Sequence, residues 1–158
     1  MNNIQYLNFD KIDLIELISI LNENRIREHL IDHPVFDDSN IIDWVQSKVD
    51  CDSLAGSRIR AVVVDGKLGG WCGIQPEEDH FEIAIVLSES CWGVGPSIFR
   101  RILSWAEELG HKELYIHLLG TRPEYRFLAQ RSKKIFRSII LGRDFTTYCI
   151  AVSSNTLK

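Results

Sequence analysis

The sequence predicts an α/β domain: a mixed, mostly antiparallel sheet of seven strands with helices on both faces. Three observations predict it. Phe81 to Leu87 is apolar at every position but Glu82, as a strand covered on both faces would be. Trp92-Gly93-Val94-Gly95-Pro96-Ser97 then sets two glycines one residue apart, followed by a proline suited to the first turn of a helix. Ile98, Phe99, Ile102, Leu103, Ala106 and Leu109 recur at helical spacing up to Gly110, and Leu114 to Leu119 is a second apolar strand. Strand, crossover helix and strand in that order make the two strands parallel neighbours.

The other elements follow in chain order. Ile4 to Phe9 reads as a short strand. Asp10 is placed to cap a helix carrying Leu14, Leu17, Ile18, Ile20 and Leu21 and reaching toward Leu30. Asp38 or Ser39 caps a second helix, Ile41 to Val49, and 50–57 is a polar loop. Arg58 to Val64 and Leu68 to Ile74 are strands joined by the hairpin signal Asp65-Gly66. Pro76 to Asp79 turns the chain into the central strand. Late in the chain, Thr121 or Arg122 precedes Pro123 at the start of a helix running through Tyr125 to Arg131. Two strands, Ile135 to Leu141 and Phe145 to Val152, flank Gly142-Arg143-Asp144. No linker or repeat divides the 158 residues, so one domain spanning 1–158 is expected.

Composition excludes some classes of function. A net charge of −4 lacks the basic footprint of a nucleic-acid binder. No apolar run is long enough to span a membrane, and 1–10 lacks the basic and apolar regions of a signal peptide. The cytoplasm is the expected compartment. The four cysteines, at 51, 72, 91 and 149, form no C-x-x-C pair or zinc framework and are expected as thiols. Cys91, beside the glycine turn, reads as an incidental loop residue. His29 and His33 stand four apart, but Pro34 follows at once, and a solvated helix end is the better reading. No metal is expected.

The chemistry of the glycine turn is anion binding. A helix start presents backbone N–H groups without intrahelical partners and the positive end of the helix dipole. Glycines ahead of it let a phosphate approach. A bare G-x-G is equally compatible with a plain strand-to-helix turn. It is neither the dinucleotide fingerprint, since position 98 is Ile, nor a P-loop, which needs a lysine.

The stretch from Phe81 to Leu119 resembles the central motif of the GCN5-related N-acetyltransferase (GNAT) superfamily. That motif is a strand, a loop of pattern Q/R-x-x-G-x-G/A, a helix and a splayed second strand. Gly93 and Gly95 fill both small positions, whereas Ser90 stands where the pattern has Gln or Arg. The order of the remaining elements also agrees with the family. The resemblance implies an acyl-CoA N-acyltransferase type of fold, acetyl-CoA as co-substrate, and a small-molecule or peptide amine as acceptor. It implies that backbone amides of Trp92, Gly93, Val94, Gly95 and Ser97, in the turn containing Pro96, hold the diphosphate. It further implies that the edge formed by Ile85, Val86 and Leu87 holds the pantetheine arm, with an amide near Val86 polarising the acetyl carbonyl.

Glu82, the acid inside the central strand, is the candidate general base; an ion pair on the sheet face accounts for it equally well. For the acid that reprotonates the thiolate, the family's tyrosine register is absent, leaving Tyr125 and Ser132 as candidates. His117 and Tyr115 share a face of the second strand and could line the cleft; His80, near a turn, reads as exposed. Arg126, Arg131, Lys133, Lys134 and Arg137 read as a solvated face rather than a 3′-phosphate site. A fold of this type that binds CoA or another phosphate ligand without turnover is the alternative, and a homodimer stays open.

Overall fold

The computed structural model describes residues 2–29, 34–120, 125–140 and 142–152. Seven strands form one sheet: β1 (Ile4–Leu7), β2 (Arg58–Val64), β3 (Lys67–Glu77), β4 (His80–Leu87), β5 (Glu113–Leu119), β6 (Ser132–Ile140) and β7 (Arg143–Ala151), in the order β1-β2-β3-β4-β5-β7-β6. Every pairing is antiparallel except β4 with β5. The expected mixed, mostly antiparallel seven-stranded sheet is therefore the architecture observed.

The period-two pattern of the strands sorts two cores. Val62, Cys72, Ile74, Ile83, Leu114, Ile116 and Ile150 lie under the helix α4 (Gly95–Leu109), packed on its Ile98, Phe99, Ile102 and Ala106. Ile59, Ala61, Trp71 and Val86 face the opposite way, under α1 (Leu14–Leu21), α2 (Asn24–His29) and α3 (Asn40–Asp52). Helices thus cover both faces. Leu128 of the short α5 (Arg126–Arg131) joins the α4 side.

Several boundaries differ from the sequence reading for identifiable reasons. The N-terminal helix is two helices, because Asn22 leaves the helical path and its side chain clasps the Phe36 backbone in both directions, at 2.9 and 2.8 Å. Its cap is Asp13, accepting from the Ile15 N–H at 2.8 Å; Asp10 lies in a 3-10 turn over Phe9–Lys11 that also shortens β1. Ser39 stands at the N-cap of α3 as read, but the capping side chain is that of Asp37, whose carboxylate accepts from the amides of Ser39 and Asn40, both at 2.9 Å. Asp65 and Gly66, at φ 51° and 84°, turn the predicted hairpin, and Gly110 at φ 86° ends α4. Thr121, Arg122, Pro123, Leu141 and His33 lie outside the described residues.

Candidate active site: a cleft where two parallel strands part

Strand β4 pairs with β3 along its whole length, from His80 with Glu77 to Leu87 with Gly70. On its other edge it meets β5 at a single register, Glu82 beside Tyr115. Beyond that point β5 follows β7, paired from Glu113 with Ala151 to Leu119 with Phe145. The parting opens a cleft of about 760 Å³, with β4 from Glu82 to Leu87 on one wall and Ile116, His117 and Leu118 of β5 on the other. Trp92, Gly93, Gly95 and Pro96 close its far end, and Tyr125 and Phe127 lie along it.

Which backbone groups face the cleft follows from strand alternation. The Ser88 N–H donates to the Gly69 carbonyl at 2.7 Å, and the Val86 carbonyl is so close to Gly70 that a Cβ there would sit 1.9 Å from it. Val86 therefore spends its peptide groups on β3, and Ile85 and Leu87 turn theirs to the open side. The cleft-facing amides near Val86 are thus those of Ile85 and Leu87. The Leu87 carbonyl is already taken by the Trp92 indole N–H at 3.0 Å, which leaves the Leu87 amide.

The glycine turn is also tighter than the sequence suggests. Glu89–Val94 winds into a 3-10 helix, in which the Cys91 N–H donates to the Ser88 carbonyl at 2.8 Å and the Gly95 N–H to the Trp92 carbonyl. Pro96 has no N–H. The Ser97 N–H lies at a helix start where Val94 supplies no side-chain cap. Ser97 Oγ accepts from Arg100 at 3.2 Å, which adds a guanidinium. A Cβ built on Gly93 or Gly95 meets nothing within 4 Å, so both glycines border open space. Arg25 lines the same end of the cleft, its guanidinium 5.7 Å from the Trp92 ring centroid.

Sheet register gathers the polar groups at the closed end. Gln75 pairs with Glu82, Glu82 with Tyr115, and His117 with Thr147, putting these residues on one face across four strands. Gln75 Nε2 donates to Glu82 Oε1 at 2.7 Å, and its Oε1 accepts from Lys48 Nζ at 2.9 Å. His117 Nε2 meets Glu77 Oε2 at 2.9 Å and Glu82 Oε2 at 3.8 Å, while its Nδ1 meets Thr147 Oγ1 at 2.8 Å. Thr147 is itself tied to Ser138 at 2.6 Å. His80, read from sequence as exposed, has 28% of its side chain exposed and packs on Tyr115 with ring centroids 4.4 Å apart.

Burial, reinforced by a hydrogen bond with Glu77, raises the Glu82 carboxyl to about 8. Glu77 goes the other way: burial opposes its ionisation, but the bond from Glu82 and the charges of His117 and His80 outweigh it and hold it below the usual range. Two adjacent acids are thereby separated into a protonated and an ionised member. Glu82 has the His117 ring 3.8 Å away, and it also faces the cleft. Glu77, His80 and His117 bring three ligand-type atoms within 4.8 Å of one another, but the His117–Glu77 bond already uses the nearest pair.

No family model matches the chain, and no curated protein sequence does. Solved structures do match it. A GNAT-family structure from Chromobacterium violaceum ATCC 12472 superposes with a TM-score of 0.69 at 18% identity, over 96% of this chain and 87% of that one. An N-acetyltransferase from Staphylococcus aureus Mu50 gives 0.70 at 13% identity, over 97% and 99%. The protein yncA from Salmonella typhimurium, solved with its cofactor acetyl-CoA, gives 0.67 at 12% identity, over 98% and 95%. This chain has the GNAT fold.

Within the GNAT fold the predicted site residues divide. Glu82, Ile85, Val86, Leu87, Trp92, Gly93, Gly95, Pro96 and Tyr125 all line the cleft. Val94 is buried in the core beneath it. Ser132 is not among the lining residues: it opens β6, and its hydroxyl donates to the Leu128 carbonyl at 2.7 Å, closing the end of α5. None of Arg126, Arg131, Lys133, Lys134 and Arg137 lines the cleft; Arg131 donates to the Val152 carbonyl and Lys133 pairs with Glu113. Gln75, Glu77 and Lys48 were missed. Counting back from Glu82 across the Glu78-Asp79 turn would have found the first two, because the turn fixes the register. Among the described residues no helix is long and apolar enough to cross a membrane.

Proposed function

We infer that the protein is an N-acetyltransferase that moves an acetyl group from acetyl-CoA to a primary amine by direct attack. The observation that carries this reading is the single-register contact between β4 and β5, which leaves one edge of a covered strand open beside a helix start and a carboxyl of raised pKa. Pantetheine carries two amides and needs an unpaired strand edge; Ile85 and Leu87 offer one. The diphosphate needs an anion site, for which the α4 dipole, the Ser97 amide and Arg100 serve. The reading is supported by yncA, whose structure has the same fold and contains acetyl-CoA.

In the reaction, Glu82 as carboxylate takes a proton from the acceptor ammonium. The amine nitrogen attacks the thioester carbon, the carbonyl oxygen gains negative charge, and the Leu87 amide offers it a hydrogen bond. The C–S bond then breaks and the CoA thiolate takes a proton, for which Tyr125 on the cleft wall is assigned as donor; the proton shed by the new amide nitrogen restores the tyrosine. Glu77, hydrogen-bonded to Glu82 and bonded to His117 at 2.9 Å, holds the orientation of Glu82.

The test is thermal. Acetyl-CoA at about 100 times its Kd stabilises a folded protein by about 2.7 kcal/mol, a rise of roughly 5–10 °C for a domain of this size. In Gly95→Val the new Cβ meets no atom beyond its own helix within 4 Å, and the variant is expected to abolish the rise while leaving the ligand-free Tm within roughly 2 °C. An unshifted wild type removes the ligand-binding reading.

A further inference from the structure

The acceptor half of the cleft has its own chemistry, and it points to a substrate class. Leu21, Ile26, Phe36, Trp44 and Trp71 form its wall, all apolar or aromatic. Into this wall α3 projects Lys48, whose ammonium lies 4.4 Å from the Trp71 ring centroid and 5.4 Å from that of Trp44. Among the described residues Lys48 has no carboxylate within ion-pair distance; its hydrogen-bond partner is the neutral Gln75. A cation held among indoles without an anion is costly, and burial accordingly lowers its pKa. Beside it, the Trp71 indole N–H is buried with no hydrogen-bond acceptor, on a residue only 4% exposed.

The spacing adds the second half. One side-chain amide, that of Gln75, reaches from Lys48 Nζ at 2.9 Å to Glu82 Oε1 at 2.7 Å. A cation and a carboxylate one amide apart complement a molecule whose carboxylate and amine are one carbon apart. We propose that the acceptor is a free α-amino acid with an apolar side chain. Its amine lies at Glu82, its carboxylate is held by Lys48, and its side chain lies against Phe36, Trp44 and Ile26. A polyamine would bring a second ammonium against Lys48, a lysine side chain would leave Lys48 unanswered, and a peptide N-terminus would offer it a neutral carbonyl in place of a carboxylate.

This rests on the acetyltransferase reading, and the test separates the two. Turnover is followed by CoA thiol release with leucine, phenylalanine and tryptophan, each beside its decarboxylated amine, and with spermidine. The expected result is a kcat/KM about 10–100-fold higher for each amino acid than for its amine, the size of a charged hydrogen bond. In Lys48→Met that ratio collapses toward one, and Lys48→Arg restores part of it. Equal rates for amino acids and amines, a preference for spermidine, or a ratio unmoved by Lys48→Met overturns the amino-acid proposal alone. An absence of stabilisation by acetyl-CoA overturns the acetyltransferase reading and this proposal with it.

Discussion

Glu82→Gln lowers turnover by roughly 10²–10⁴-fold while acetyl-CoA still raises the melting temperature, the range expected for loss of a general base. The substitution keeps size and hydrogen-bonding capacity, so the Gln75 contact survives and only proton uptake is lost. The wild-type rate carries a second signature. A base works as the carboxylate, and burial together with the Glu77 hydrogen bond raises this carboxyl to about 8. Turnover therefore rises with pH through about 8 and then levels, and in Glu82→Gln that limb disappears. Stability moves oppositely. A carboxyl whose folded-state pKa is raised favours the native state fully below its unfolded value near 4.3, and that contribution is lost as pH climbs toward 8. Glu82→Gln is thus expected to melt near the wild type at pH 4 and above it at pH 9. Full activity in the variant, or a rate that is flat from pH 6 to 9, rejects the assignment of Glu82.

Gly70→Ala is expected to destabilise the protein by roughly 3–5 kcal/mol, read from the urea midpoint. Gly70 has φ 149°, and a Cβ there would lie 1.9 Å from the Val86 carbonyl oxygen, 2.9 Å from its carbon and 3.0 Å from the Leu87 Cα. All three are backbone atoms, so no side chain can swing aside; β3 must separate from β4. The neighbouring register shift between Val62 and Val63 of β2 marks the same point, where the sheet is already irregular. Because β4 is also the cleft wall, the variant loses acetyl-CoA binding along with stability. Gly93→Ala is the contrast: its Cβ meets nothing within 4 Å, and its effect on stability stays within about 0.5 kcal/mol. A loss under about 1 kcal/mol for Gly70→Ala contradicts the packing described.

Most of the architecture was legible because it depends on patterns that survive in one sequence. The apolar run at Phe81, the helical spacing from Ile98 to Leu109 and the hairpin at Asp65-Gly66 are local, and β2 begins and ends where its residues said it would. Helix ends were read less well. Asp37 caps α3 from three residues ahead, and Asn22 breaks the first helical run by a bond to Phe36, fourteen residues away. Candidate cleft residues were legible on β4, at the glycines and at His117 and Tyr125, but not at Gln75 or Lys48. Lys48 looked like any surface lysine on an amphipathic helix; only the fold turns it under Trp71. Nor could a sequence tell Gly70, which the sheet needs, from Gly93 and Gly95, which border the cleft. That distinction is one of three-dimensional clearance. The 3-10 winding of Glu89–Val94 also left no trace, since nothing in SESCWGV forbids an open loop.

The most direct measurement is a crystal structure of the protein soaked with acetyl-CoA. The expected density runs the pantetheine arm between β4 and β5 with hydrogen bonds to Ile85 and Leu87, the diphosphate at Ser97 and Arg100, and the acetyl group facing Glu82. Strands β4 and β5 zipped together past Tyr115, or the ligand seated anywhere else, would contradict it.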